Sequence, residues 1–197
     1  MTLAELYAEV YLLTNRDDLV AQTAAAVRSA TLKIHQLDYF YKDIFETGII
    51  FPAADYLQQL EYRTAVPRWR SLKYLRKSDA SNGQNGNFFT IIPIPEFVQD
   101  QYALNQPDVC YVAGDVLQIR SSTKLGYAIL GCYRNPDITP LGYNSWVALD
   151  HPYAIIFEAA ASIFKQTGDT DQFAAYIRMS AEEQQLVRIS NIQPQGY

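Results

Sequence analysis

Two histidines and two cysteines carry the most reactive side chains of this chain. His35 falls at the border of an apolar helical stripe and His151 at a helix start. Neither has a serine, cysteine or carboxylate at a recognised catalytic spacing. Cys110 and Cys132 stand apart, with no CxxC pair and no nearby histidine, so they do not form a metal site. We predict that the two histidines and the two cysteines are all structural, and that both cysteines are reduced and buried.

Paired carboxylates are the other source of chemistry. Asp169 and Asp171 flank a predicted helix start, while Glu182 and Glu183 lie on a helical surface. Capping and solvation explain these pairs better than acid–base catalysis does. The sequence contains no GxSxG, GxGxxG or HExxH motif and no phosphate-binding GxxxxGK motif. We therefore expect no enzyme, no cofactor and no metal ion.

A basic segment interrupts a chain whose net charge is −5. Residues 61–78 carry six Lys/Arg and one Asp/Glu, which gives +5. The segment is interpreted either as a solvated basic face or as a contact for DNA phosphate or an acidic partner. The acidic total argues against a dedicated nucleic-acid binder, whose affinity depends on neutralising phosphates. The candidate contact residues are Arg63, Arg68, Arg70, Lys73, Arg76 and Lys77.

Helices are predicted at both ends of the chain, in residues 2–36 and 150–190, because apolar residues recur there at helical spacing. Thr2 followed by Glu5 is a capping-box pattern for the first helix. A second helix is predicted to start at Thr14 or Asn15, where acidic residues in the first turn would favour the helix dipole. Near the other end, Pro152 suits a first turn and Gly168 a helix stop.

The final predicted helix, residues 170–190, has two apolar sides. At about 100° per residue, Phe173 and Ile177 fall on one side, with Met179 and Leu186 roughly opposite. Such a helix can contact both its own core and a neighbouring molecule. We predict that these four residues belong to an oligomer interface.

The middle of the chain alternates as a β-sheet does, from residue 88 to residue 133, with predicted turns at Gly114 and at 123–126. Residues 55–61 are predicted to add a helical turn or two. The predicted fold class is α+β, a mainly α-helical bundle with an inserted small antiparallel β-sheet and an extended C-terminal arm. The predicted domains are a ring-forming helical body of residues 1–80 and 141–189, a β-rich insertion of residues 81–140, and an arm of residues 190–197.

The order of these elements resembles that of head-to-tail adaptor (connector) proteins of tailed bacteriophages. The stretches DLVAQTAAAVRSATLKIHQLDYFYKDIFE and YNSWVALDHPYAIIFEAAASIFKQTGDTDQF carry the resemblance in sequence. The length and the β insertion are most similar to the adaptors of short-tailed phages. The resemblance implies a structural virion protein that forms a ring of identical subunits, most often twelve, beneath the portal. Such a ring links the portal to a tail or nozzle protein, and genomic DNA passes through it without sequence specificity.

The resemblance also implies a C-terminal arm that grips the portal protein. Residues 190–197 stand in its place, with Ile192, Pro194 and Tyr197 as expected docking side chains. A tail-terminator or head-completion protein is the nearest alternative, and a DNA-binding module using residues 63–77 is an alternative of another class. The N-terminus lacks a signal-peptide pattern and no apolar run of about 18 residues is present, so we expect no membrane partner. The expected location is the head–tail interface of the virion, after assembly in the host cytoplasm.

Overall fold

The computed structural model describes residues 1–78, 85–92 and 108–192. The chain divides into two compact units, a helical unit of residues 1–43 and 135–197 and a sheet unit of residues 44–134. The described helices are α1 (Leu3–Thr14), α2 (Val20–His35), α3 (Tyr62–Ala65), α4 (Trp146–Asp150), α5 (Pro152–Thr167) and α6 (Thr170–Ile192), with a 3-10 turn at Tyr41–Asp43. The described strands are β1 (Ile44–Glu61), β2 (Trp69–Ser78), β3 (Asn85–Phe88), β4 (Thr90–Ile91), β5 (Val109–Ala113) and β6 (Val116–Arg134).

Helix α5 is the centre of the helical unit and packs against α1, α2, α4 and α6. Its apolar face is fully buried at Ile155, Ile156 and Ile163. Burying one such side chain contributes about 1.5–3 kcal/mol. Ala159 and Ala160 are also fully buried, and their small side chains allow neighbouring helices to approach closely.

Helix ends in this unit follow local signals, with one exception. The capping box of Thr2 and Glu5 is confirmed, since each side chain accepts a hydrogen bond from the other residue's backbone N–H. Gly168 ends α5 with φ of 80°, as predicted. The predicted start of the second helix at Thr14 or Asn15 is wrong, because α2 begins at Val20 without a side-chain cap. The carboxylate of Asp18, which was expected in the first turn, instead pairs with Arg16 at 2.7 Å.

Strand β6 is the centre of the sheet unit. Strand β1 runs antiparallel along one side of it, from the pair Ile44–Tyr133 to the pair Glu61–Val116. On the other side, β5 pairs with the first part of β6 and β2 with the last part. Strands β3 and β4 extend the sheet beyond β2 and β5 respectively. The described residues thus form one six-stranded sheet that is curled and nearly closed.

The predicted mainly helical bundle is wrong, because strands make up about 35% of the structure. Residues 44–78, which were assigned to the helical body, include strands β1 and β2. Residues 57–61, expected to be helical, pair with residues 120–116 of β6. The predicted turn at 123–126 is also absent, since β6 continues through it. Pairing with distant strands overrides local propensity in all three places.

Two tyrosine rings on the sheet lie where glycines leave room for them. A Cβ added at Gly131 would be 2.3 Å from Cζ of Tyr74, and one added at Gly48 would be 2.0 Å from the hydroxyl oxygen of Tyr127. The Tyr74 hydroxyl donates a hydrogen bond to Glu46. Burial first, and this bond second, raise the pKa of Tyr74 to about 12. Cross-strand packing therefore accounts for part of the tyrosine content of the chain.

The core of the sheet unit contains both cysteines. Cys110 and Cys132 are fully buried among apolar side chains and are not bonded to each other. Burial raises the pKa of the Cys110 thiol to about 12 and that of Cys132 to about 11. Both thiols are therefore protonated and unreactive near neutral pH.

Candidate functional site

The outer face of α6 exposes a stripe of large apolar side chains. Met179 is 39% exposed, and Leu186 and Ile189 are each 51% exposed. These residues recur at spacings of seven and three, so they follow one side of the helix. Ala175 and Glu182 are exposed on the same side. We call this side, from Ala175 to Ile189, the outer face of α6.

The opposite side of α6 packs against α5. The Tyr176 ring stacks on Phe164 at 5.2 Å between centroids, and the Ser180 hydroxyl donates to Glu158 at 2.9 Å. Phe173 and Ile177, two of the predicted interface residues, lie half-buried on this inner side. The structure therefore separates the four predicted residues into an outer pair, Met179 and Leu186, and an inner pair. Sequence reasoning missed Ile189, although its helical spacing from Leu186 could have identified it.

Carboxylates in the sheet unit pair with much of the predicted basic segment. Arg63 contacts Asp115 at 2.8 Å, Arg76 contacts Glu46 at 3.2 Å, and Lys77 contacts Asp108 at 2.5 Å. Nζ of Lys73 lies 5.7 Å from the centroid of the Tyr133 ring, and Nζ of Lys77 lies 5.8 Å from that of Phe89. Pairing of this kind reduces the positive charge that the segment can offer to phosphates. No structural feature brings the six basic side chains together as one uncompensated surface within the described residues.

The Lys77–Asp108 pair is the most enclosed of these contacts. Both side chains are mostly buried. Burial raises the pKa of Asp108, but the Lys77 ammonium and hydrogen bonds from Ser122 outweigh it, so the net shift is downward. Since Lys77 lies in β2 and Ser122 in β6, this cluster ties two strands to the residue that precedes β5. Its evident role is structural.

A buried polar cluster in the helical unit joins residues that are far apart in sequence. His35 at the end of α2 contacts Asp43 through Nδ1 at 2.7 Å and Ser145 through Nε2 at 2.9 Å. The indole N–H of Trp146 donates to the same Asp43 oxygen at 2.8 Å. The backbone N–H of Ala148 donates to the Ser145 hydroxyl oxygen at 3.2 Å, which caps α4.

One neutral tautomer of His35 accommodates these contacts. If Nδ1 carries the proton, it donates to Asp43, and Nε2 accepts from the hydroxyl of Ser145. The Asp43 oxygen then accepts from both His35 and Trp146, and the Ser145 oxygen is left to accept from Ala148. This arrangement gives each of the contacting atoms a bond that its chemistry allows.

The same order of bonds occurs in serine hydrolases, where serine donates to histidine and histidine to aspartate. Here Ser145 is only 4% exposed, and its oxygen is already bound as the cap of α4. Ser145 borders a cleft of about 430 Å³, but among the ten described residues that line this cleft none has a charged side chain. The Ser145 hydroxyl is therefore largely buried beside this cleft, and its oxygen is committed to the cap of α4 and to His35. We interpret the cluster as a structural junction between α2, the 3-10 turn and α4.

Sequence reasoning predicted a structural role for His35 but missed its partners. Asp43 follows it by eight residues, and Ser145 is 110 residues away in the chain. A separation of that kind gives no sequence pattern. Only the fold brings these residues together.

The residues predicted to form a C-terminal arm, 190–197, are described only as far as residue 192. Helix α6 continues to Ile192, so residues 190–192 are helical and the predicted boundary at 190 is wrong. Pro194 and Tyr197 lie outside the described residues. The docking role of all three predicted side chains stays a prediction.

Comparison with protein-family models gives no match, and comparison with curated proteins gives none either. In the part of the chain that the structure describes, no helix is long and apolar enough to cross a membrane. The same part contains no group of three or more His, Cys, Asp or Glu residues arranged to hold a metal ion. The geometry that favours a function is therefore the exposed outer face of α6.

Proposed function

We propose that this protein is a structural virion protein, a head-to-tail adaptor that forms a homo-oligomeric ring beneath the portal. The ring links the portal to a tail or nozzle protein and surrounds the path of the genomic DNA. Twelve subunits are the expected number, as the resemblance to phage adaptors implies.

The observation that supports this proposal best is the outer face of α6. Met179, Leu186 and Ile189 are large apolar side chains that the isolated chain leaves in contact with water. Large exposed apolar side chains that follow one side of a helix, here with Glu182 between them, commonly mark a site of protein association. The inner side of the same helix is already packed on α5, so the outer face is available to another molecule.

The order of elements gives a second line of support. Helices α1 and α2 precede the sheet unit, and α4 to α6 follow it, so a single helical unit is interrupted by one β insertion. This is the arrangement on which the resemblance to short-tailed-phage adaptors was based. The corrected insertion, residues 44–134, is larger than the one expected from sequence.

Charge supports the proposed passage of DNA. The helical unit carries seven Lys/Arg and thirteen Asp/Glu, which gives −6. An acidic surface repels phosphates and so disfavours retention of DNA. By contrast, the alternative of a DNA-binding module is weakened by the carboxylates beside Arg63, Arg76 and Lys77.

Electron microscopy of the purified protein with portal rings tests the proposal. Wild-type protein should add a closed ring to the portal, whereas the double variant Met179→Glu/Leu186→Glu should remain folded but fail to do so. The matched control is Ile50→Glu/Leu57→Glu, which places the same charges at exposed apolar positions of the sheet unit. If wild-type protein adds no ring to the portal, the adaptor function is wrong. If the Met179/Leu186 variant assembles normally, the face is wrong.

A further inference from the structure

The outer face of α6 is complementary to itself when two copies are placed antiparallel. Arg178 and Glu182 are both exposed and lie four residues apart, with Ser180 midway between them. A twofold axis that crosses the outer face at the level of Ser180, whose own side chain lies on the inner side, would bring Arg178 of each copy opposite Glu182 of the other. The two opposite charges would then meet twice across one contact.

The sizes of the side chains match in the same arrangement. The first half of the outer side has small exposed residues, Ala174 and Ala175, and the second half has the large exposed Leu186. Antiparallel placement about Ser180 puts Leu186 of one copy over Ala174 and Ala175 of the other. A large side chain facing small ones permits close packing of two helices.

We infer that free subunits pair through the outer faces of α6, antiparallel, with Arg178 of each copy beside Glu182 of the other. The contact is isologous, meaning that both copies use the same surface, and it therefore closes at two subunits. One helix from each copy forms it, which gives an area below the roughly 1,600 Å² of a typical stable complex. The pair is accordingly weak and reversible.

This inference goes beyond the proposed ring. The free pair covers Met179 and Leu186, the side chains that the ring would use. Pairing therefore competes with ring formation, and a subunit becomes available to the portal only when the pair opens. The two proposals can fail separately, because the pair is measured without portal and the ring with it.

Charge exchange at two positions tests the pairing. Two copies of Arg178→Glu would place four carboxylates at the contact, and two copies of Glu182→Arg would place four guanidinium groups there. Because like charges repel, each single variant should be monomeric at concentrations where wild type is dimeric. Sedimentation velocity measures this difference. An equimolar mixture of the two variants should form heterodimers, because each contact then joins opposite charges. The double variant Arg178→Glu/Glu182→Arg should dimerise as wild type does. Lys124→Glu, an exposed charge reversal on β6 in the sheet unit, is the matched control and should leave dimerisation unchanged.

Three results would overturn the inference. The first is a wild-type protein that stays monomeric at every concentration tested. The second is a single variant that dimerises like wild type. The third is an equimolar mixture of the two single variants that remains monomeric although both variants are folded. Circular dichroism of each variant separates loss of pairing from loss of fold. Ring formation on portals by a wild-type protein that never dimerises would leave the proposed function standing and remove this inference alone.

Discussion

The helical unit and the sheet unit bury polar groups in different ways. Seven of the eight buried polar or charged residues among those described belong to the helical unit, and only Ser121 belongs to the sheet unit. The backbone of a sheet satisfies its own donors and acceptors through pairing with adjacent strands. The helical unit is built from two separate chain segments, and buried side chains such as His35 and Ser145 join them. A unit built from two chain segments thus uses specific polar contacts where a continuous unit can rely on strand pairing and apolar packing.

Each unit has one tryptophan, so the unfolding of each unit can be followed separately by fluorescence. Trp146 reports on the helical unit and Trp69 on the sheet unit. Ile156→Ala and Leu130→Ala each remove a fully buried side chain, one in each unit. We expect each to lower the free energy of unfolding of its own unit by about 2–5 kcal/mol. Urea denaturation monitored by fluorescence, with Trp69→Phe as background for the helical unit, measures the effect. Equal losses at both probes from either substitution would show that the two units unfold as one.

The polar junction provides a sharper contrast. Asp43→Ala removes the acceptor of His35 and Trp146 inside the helical unit. A buried donor left without an acceptor costs about 1–3 kcal/mol, so the loss should approach that of a core deletion. Asp43→Asn keeps one oxygen of the same shape and should cost less. Denaturation followed through Trp146 fluorescence measures both. An Asp43→Ala variant as stable as wild type would show that the junction is not needed to join the two chain segments.

The smallest expected effect concerns the sheet unit at alkaline pH. The pKa of Cys110 is raised from 9 to about 12 by burial, so folding favours the neutral thiol. The corresponding stabilisation is complete below pH 9 and is lost as pH rises toward about 12, because the unfolded thiol ionises first. Cys110→Val removes this dependence. As the pH rises from 8 to 10.5, the unfolding midpoint of wild type should therefore fall more than that of the variant. A constant difference between the two midpoints would mean that Cys110 is not a source of the pH dependence.

The elements that were predictable from sequence are those with local signals. The Thr2 cap and the Gly168 stop each depend on residues within a few positions of one another, and the helices that they delimit were found. Strand β1 was missed in part because the residues 57–61, LQQLE, favour a helix locally. Their strand conformation depends on β6, which lies about sixty residues further along the chain. Local propensity cannot reveal such pairing.

The candidate functional residues also divide into those that local sequence patterns could place and those that they could not. Helical periodicity, which fixes the side of a helix on which a residue lies, placed Met179 and Leu186 on one side, and the structure has both exposed. Which side faces the core was not fixed by periodicity, and two of the four predicted interface residues, Phe173 and Ile177, are half-buried in the structure. The six basic residues were predicted to act as one segment because the sequence shows only that they are close along the chain. It does not show the carboxylates that the fold places beside Arg63, Arg76 and Lys77.

The pairing of Ile44 with Tyr133 has a consequence for the order of folding. The first and last strands of the sheet unit are neighbours, so a folded sheet unit holds together the two chain ends that lead into the helical unit. Without it, α2 and α5 would have to find each other across a long flexible loop, and the entropic cost of closing a loop rises by about 0.6 kcal/mol for each doubling of its length. During synthesis α1 and α2 also emerge well before α5, their main packing partner. The sheet unit is thus expected to fold first and to bring together the two chain segments from which the helical unit forms.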